Sequence, residues 1–71
     1  MDLALGELIT IKWGHYQVDA RVLEIDENAF MSTVLLCIDP DVHGDGTCSD
    51  TVRYAVEDLQ RLIIRKVASA G

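Results

Sequence analysis

The sequence predicts a small all-β domain, either a barrel or a sandwich of five short strands. Apolar residues recur with a period of two over most of the chain, which is typical of strands that turn one face to a core. Segments rich in turn-forming residues separate these stretches, as in small barrels and sandwiches. With 71 residues, the chain is long enough for one domain only.

The first two predicted strands form a hairpin. Residues 8–13 and 16–26 alternate between apolar and polar side chains, and Gly14–His15 predicts a tight turn between them. The alternation changes phase at Ile25, so we expect a β-bulge near Leu23–Glu24. In the first strand Ile9, Ile11 and Trp13 are predicted to share one face. In the second strand the residues predicted to share one face are Val18, Ala20, Val22 and Glu24.

Three further strands and one helical turn are predicted after this hairpin. Residues 26–28 predict a turn, followed by strands at 29–38, 51–55 and 61–66. The short polar segment 56–60 predicts one turn of helix before the last strand.

Three segments fall outside the strand pattern. Residues 1–7 predict an N-terminal arm, either loose or a short helix, and residues 67–71 predict a frayed tail. Residues 39–50 contain the only proline and four acidic residues, and they predict a long acidic loop.

The charge balance bears on the partner. Twelve acidic residues against six basic ones give a net charge of −6. Phosphate backbones are bound by clustered Lys and Arg, so this balance argues against nucleic acid as the main partner and favours a basic protein or peptide. A local basic strip late in the chain keeps nucleic-acid binding open as an alternative; its residues are Arg53, Arg61, Arg65 and Lys66.

The chain start and the cysteines bear on the compartment. The first residues lack the basic region of a signal peptide, and the longest apolar run, 34–38, is too short for a membrane span. We therefore expect a cytoplasmic protein with no membrane partner. In that compartment Cys37 and Cys48 are expected to be reduced, so that no disulfide stabilises this small chain.

The third strand predicts self-association. Its residues are apolar on both faces, with Phe30 placed in the core, and a 71-residue barrel has one small interior that cannot bury both faces. Either the arm residues 3–5 or a second copy would cover the exposed face, and we favour the second copy, in a homodimer or a higher oligomer. The predicted interface residues are Met31, Leu35, Cys37 and Ile63.

Three stretches of the chain, 20–26, 34–39 and 56–62, resemble the Tudor branch of the SH3-like barrels. Tudor repeats often show Ala-Arg-Val, then a strand ending in Ile-Asp-Tyr-Gly, then a closing Leu-x-x-Leu; here Pro40–Asp41 replaces the Tyr-Gly. The resemblance implies a small five-stranded SH3-like barrel with one short helical turn before the last strand. It also implies an aromatic cage at the first turn, where Trp13, His15 and Tyr16 would hold a methylated Lys or Arg by cation–π attraction.

A second resemblance is to the plasmid-borne type II dihydrofolate reductases, which are also SH3-like barrels. Tyr54, Val56, Leu59 and Arg61 match the spacing of their last segment, but Thr51-Val52-Arg53-Tyr54 keeps only Tyr54 of their ligand-facing Val-Gln-Ile-Tyr. This resemblance implies, as an alternative, an enzyme whose ligand binds at an oligomer interface beside Tyr54.

The acidic loop contains residue types that can bind metal ions. Calcium loops need oxygen ligands at regular positions, and Asp39, Asp41, Asp45 and Asp50 are the candidates here, although His43 and Gly46 do not fit the pattern. Cysteine and histidine spacing does not support a transition-metal site. The sequence therefore predicts a non-catalytic binding or adaptor module for a protein or peptide, without a cofactor, that acts as a homo-oligomer.

Overall fold

A computed structural model describes residues 3–28, 30–41 and 44–67, and most of them lie in one five-stranded antiparallel sheet. The all-β prediction is therefore confirmed. The elements in chain order are β1 (Leu8–Trp13), β2 (Tyr16–Asp26), β3 (Thr33–Ile38), β4 (Asp50–Ala55), α1 (Val56–Leu62) and β5 (Ile63–Lys66).

The sheet is open, with the strand order β4-β3-β2-β1-β5. In the described ranges no ladder joins the two edge strands, β4 and β5, so the predicted barrel is not closed. The long strand β2 pairs with both β1 and β3, and its register against β3 shifts between Val22 and Glu24. This is the bulge predicted from the phase change at Ile25, and it bends the strand where it passes from one neighbour to the other.

The core lies on one face of the sheet, under α1. The predicted alternation in β1 and β2 is confirmed, and Ile25 returns to the core side after the bulge. Glu24, which was predicted to share the face of Val22, is exposed because the bulge reverses the phase there. The buried apolar residues are Ile9, Ile11, Ala20, Val22, Val34, Leu36, Ile38 and Leu59.

Strand β3 begins at Thr33, four residues later than predicted. The Asn28 side-chain oxygen accepts hydrogen bonds from the backbone N–H groups of Phe30 and Met31, at 2.9 and 2.8 Å. Asn favours such local turns over strand pairing. The prediction that Phe30 lies in the core is therefore wrong, and its side chain is 99% exposed.

The short helix α1 extends to Leu62, beyond the predicted 56–60, so β5 begins at Ile63. Its first turn carries Glu57 and Asp58 and its last turn carries Arg61, an arrangement that suits the helix dipole. Leu59 is fully buried and fixes the helix against the core.

The N-terminal arm is tied to the sheet from Gly6 onward. Gly6 has a φ of 81°, and the Glu7 N–H donates to the Ala4 carbonyl at 3.1 Å, which closes a type II turn that needs glycine at this position. The Gly6 N–H donates to the Val22 carbonyl and the Val22 N–H to the Glu7 carbonyl, at 2.8 and 2.9 Å. Residues 1–2 of the predicted arm and 68–71 of the predicted tail lie outside the described residues.

Cys37 and Cys48 form a disulfide, with their Cα atoms 5.2 Å apart. The prediction of two free thiols is therefore wrong. Ile38 pairs with Asp50, and the Ser49 N–H donates to the Ile38 carbonyl at 3.0 Å, so the end of the loop returns alongside the end of β3. This long-range register brings the two cysteines together, and their sequence spacing does not reveal it.

Candidate functional site

An open cleft of about 470 Å³ lies between the β2–β3 loop and the start of α1. We call it the Phe30 cleft. Its lining residues are Asn28, Phe30, Met31, Ser32, Ala55, Val56 and Glu57. It combines two exposed apolar side chains with polar backbone and one carboxylate.

Local hydrogen bonds hold the loop side of the Phe30 cleft in place. The two N–H groups bound by Asn28 fix the backbone at Phe30 and Met31. The Val56 N–H donates to the Ser32 carbonyl at 2.9 Å, which ties the end of the loop to the start of α1. Met31 is 55% exposed beside the fully exposed Phe30, so an apolar pair projects from an anchored loop.

The chain around the Phe30 cleft is acidic. Asp26 and Glu27 precede its loop, while Glu57 and Asp58 belong to the first turn of α1. In the described part of the chain, the ion pairs are Arg53–Glu24 and Lys66–Glu7, so neither involves these four carboxylates. The surface beside the apolar pair therefore carries several carboxylates that form no ion pair among the described residues.

The predicted ligand-binding residues lie in two places. Trp13 and Tyr16 are paired at the end of the first hairpin, with His15 in the turn between them. Trp13 packs against the core, whereas Tyr16 is 74% exposed. Tyr54 lies opposite Val34 near the other end of β2, and it also packs against the core. The sheet register therefore does not bring Tyr54 to the first turn.

The predicted interface residues do not share one surface. Met31 belongs to the Phe30 cleft, and Leu35 lies half-buried opposite Arg53 on the sheet face away from the core. Ile63 packs against the core. Cys37 is 1% exposed and bonded to Cys48, so it is not available to contact a partner.

A second open cleft, of about 680 Å³, lies at the end of the sheet that carries the acidic loop. We call it the acidic cleft. Its lining residues are Asp19, Asp39, Pro40, Asp41, Thr47, Cys48 and Ser49. Loop hydrogen bonds from the Asp41 N–H to the Thr47 carbonyl and from the Gly46 N–H to the Asp41 carbonyl, at 3.0 and 3.1 Å, shape its rim.

The calcium-loop candidates do not gather into a metal site in the part of the loop that the structure describes. There, no three His, Cys, Asp or Glu side chains form a group that could hold a metal ion; His43 lies outside the described residues. The Asp45 carboxylate instead accepts hydrogen bonds from the Thr47 hydroxyl and the Thr47 N–H, and these hold the pKa of Asp45 below its usual value. Asp50 accepts from the Thr51 N–H at 2.8 Å.

The late basic residues are dispersed over the fold. Arg53 lies on edge strand β4, 3.1 Å from Glu24, and Arg65 lies on the opposite edge strand β5, where its Nε donates to the Thr10 hydroxyl at 3.4 Å. Lys66 lies 4.0 Å from Glu7. Arg53 therefore lies on the opposite edge strand from Arg65 and Lys66.

No protein-family model, no curated protein and no solved structure matches this chain. Among residues 3–28, 30–41 and 44–67, no helix is long and apolar enough to span a membrane.

The sequence pattern did not indicate the Phe30 cleft. It assigned Phe30 to a strand interior because the run 29–38 is almost entirely apolar. The available signal was Asn28 two residues earlier, since Asn side chains often accept hydrogen bonds from the backbone just after them and so keep those groups out of a ladder.

Proposed function

We propose that this protein is a non-catalytic binding module with an SH3-like arrangement of strands. The support for that arrangement is the strand order β4-β3-β2-β1-β5, together with a short helix between β4 and β5 and a bulge that bends β2. The partner is a basic protein or peptide segment, and it binds in the Phe30 cleft.

The observation that carries this proposal is the complete exposure of Phe30 on an anchored loop. Aromatic and Met side chains dominate the energy of many protein interfaces, and their exposure on a rigid segment reduces the entropy that binding costs. Phe30 and Met31 lie side by side, 99% and 55% exposed, and Asn28 fixes the backbone of both. A partner side chain that is apolar would bury this pair.

The acidic residues around the cleft define the rest of the partner. Glu57 lines the cleft and Asp58 follows it in the first turn of α1. A Lys or Arg flanking the apolar side chain of the partner would meet these carboxylates. The preferred ligand is therefore an apolar residue next to a cation, and the attraction weakens with salt.

A titration of the isotope-labelled chain tests this proposal. The probe is a short synthetic peptide of alternating Leu and Lys, and a peptide of alternating Leu and Glu is its charge control. We expect the Leu–Lys peptide to shift the backbone amide resonances of Met31, Ser32 and Glu57 in the NMR spectrum, and the Leu–Glu peptide to shift none of them.

Two variants locate the binding energy. Phe30→Ser removes the exposed aromatic ring and is expected to weaken binding roughly ten-fold or more, because burial of a Phe side chain is worth about 1.5–3 kcal/mol. Leu5→Ser removes an exposed apolar side chain that does not line the Phe30 cleft, and it should leave the affinity unchanged. Equal affinities for wild type and Phe30→Ser would reject the cleft as the site.

The same titration distinguishes binding at the first turn, between β1 and β2, from binding in the Phe30 cleft. A peptide containing trimethyl-lysine should shift the resonances of Trp13 and Tyr16 only if an aromatic cage forms there. Shifts confined to that turn would move the binding site away from the Phe30 cleft while keeping the class of partner.

Self-association is a second candidate, favoured by a small apolar patch beside the bulge. Leu5 is 68% exposed and lines a shallow depression with Leu23, next to the Glu24–Arg53 ion pair. A two-fold axis at this patch would place the Arg53 of one copy near the Glu24 of the other. Light scattering over a wide concentration range tests it: a dimer that Leu23→Ser dissociates supports this surface, and a monomer mass throughout rejects it.

A further inference from the structure

The two sulfur atoms of the disulfide differ in their surroundings. Cys37 is 1% exposed within β3, whereas Cys48 is half-buried and lines the acidic cleft. A thiol reagent attacks a disulfide along an open path to one sulfur. Cys48 is the more exposed of the two cysteines and lines the acidic cleft, so we take this cleft as the direction from which a reagent approaches.

The cleft that leads to Cys48 is negatively charged. Asp19, Asp39 and Asp41 line it, and no described lining residue is cationic. The attacking species in disulfide exchange is a thiolate, which is itself an anion. The Thr10 hydroxyl joins Asp19 to Arg65, through hydrogen bonds of 2.9 and 3.4 Å, so one of the three carboxylates has a cation nearby. The net negative charge of the cleft opposes the approach of an anionic reagent and opposes a cationic one less.

We infer that Cys48 is a site of thiol–disulfide exchange whose acidic cleft selects thiol reductants by charge. In the first step a reagent thiolate attacks the Cys48 sulfur, the Cys37–Cys48 bond breaks, and the Cys37 sulfur leaves as a thiolate that takes up a proton. In the second step another reagent thiolate attacks the reagent sulfur of the mixed disulfide, and the Cys48 sulfur leaves and is protonated. Two reagent thiols are oxidised to one disulfide, and the protein disulfide is reduced by two electrons.

Reduction releases the acidic loop and leaves the sheet in place. The disulfide closes a segment with a sequence separation of 11. The hydrogen bonds Asp41–Thr47, Gly46–Asp41 and Thr47–Asp45 join loop residues to one another, and the disulfide ties this part of the loop to β3. The core, by contrast, is built from β1, β2, β3 and the helix residue Leu59. The acidic cleft therefore loses its shape when the bond is broken, so exchange at Cys48 controls whether this cleft exists.

Rates of reduction by three small thiols test the charge selection. The reagents are 2-aminoethanethiol, 2-mercaptoethanol and 3-mercaptopropionate, which carry a positive, a neutral and a negative group beside the sulfur. Rates are measured on the native protein at low salt and corrected for the thiolate fraction and basicity of each reagent. We expect the corrected rate to be highest for the positive reagent and lowest for the negative one. Each carboxylate about 10 Å from the attacking sulfur should change the rate roughly two-fold for each unit of reagent charge.

Matched charge variants identify the origin of the effect. Asp39→Asn removes one cleft carboxylate at a position with a φ of 51°, where Asn is well tolerated, and it should narrow the spread of rates about two-fold per unit of reagent charge. Glu27→Gln removes one carboxylate outside the acidic cleft and should leave the spread unchanged. Equal corrected rates for the three reagents, or equal effects of the two variants, would overturn the charge selection.

Hydrogen exchange tests the release of the loop. After reduction we expect the Asp41 and Gly46 amides to lose protection while the β1 and β2 amides keep theirs. Retained loop protection, or loss of protection over the whole chain, would overturn the local release. A requirement for denaturant with all three reagents would overturn the assignment of Cys48 as accessible.

Discussion

Breaking the Cys37–Cys48 disulfide with Cys48→Ser is expected to lower the free energy of unfolding by about 3 kcal/mol. The bond spans a sequence separation of 11, and a cross-link of that span removes closure entropy from the unfolded chain. The substitution is made at the half-buried cysteine, so that Cys37 remains as a buried thiol, a state that this side chain tolerates.

The loss is large for a chain of this size. Domains have free energies of unfolding of roughly 0.05–0.15 kcal/mol per residue, which gives about 4–11 kcal/mol here. A loss of about 3 kcal/mol should lower the melting temperature by about 12–24 °C. The variant should remain folded at room temperature, in agreement with the local release of the loop on reduction.

Urea unfolding followed by circular dichroism measures the effect. Two further observations separate the cross-link from other causes. Wild-type protein reduced with a thiol should match Cys48→Ser, and the dependence of the free energy on urea should become steeper, because the unfolded chain without the cross-link exposes more surface. A loss below about 1 kcal/mol for both samples would refute the entropic reasoning.

Three further changes have expected outcomes that follow from the described contacts. Leu59→Ala should cost about 2–5 kcal/mol in urea unfolding, since Leu59 is fully buried, whereas Leu23→Ala at the exposed bulge should cost far less. Gly6→Ala should lower the melting temperature, because the left-handed backbone at Gly6 costs a Cβ-bearing residue about 1–2 kcal/mol. Thr47→Val should raise the pKa of Asp45 in an NMR titration, because it removes the Thr47 hydroxyl, whose hydrogen bond is the largest cause that holds this pKa low. That pKa is depressed in the folded chain, so the stability it contributes is present above the ordinary Asp value and is lost as pH falls through the folded value; an unchanged Asp45 titration in Thr47→Val would contradict this cause.

The first hairpin was predictable from the sequence because the pattern that predicts it lies within each strand and its turn. Alternation over 8–13 and 16–26 gave the bounds of β1 and β2, and the phase change at Ile25 gave the bulge. Alternation within one strand predicts which of its side chains face the core, and the partner strand need not be known. The short polar segment 56–60 also predicted the helix before the last strand.

The candidate site was not predictable in the same way. The apolar run at 29–38 reads as one continuous strand, but the Asn28 side chain captures two backbone N–H groups and delays the strand to Thr33. An apolar run indicates that its side chains avoid water, but it does not indicate whether its backbone pairs with a neighbouring strand. Phe30 was predicted to lie in the core, but it is the most exposed large apolar side chain among the described residues.

The expectation of self-association rested on two premises that the fold changes. One was that the second face of β3 has no cover within the chain, yet Cys37 on that face is buried and bonded to Cys48. The other was that no disulfide stabilises the chain. With both changed, self-association rests on Leu5 and Leu23 beside the bulge instead of on β3 as a whole.

The all-β class, the two faces of the first hairpin, its bulge and the acidic charge follow from the order and the kinds of neighbouring residues. Three other features appear only in the folded chain: the sheet stays open, Cys37 bonds to Cys48, and Phe30 faces water. These three features depend on which distant segments pair and in what register. A one-residue change of register moves every side chain of a strand to the opposite face, and between segments far apart in the chain no tight turn sets the register.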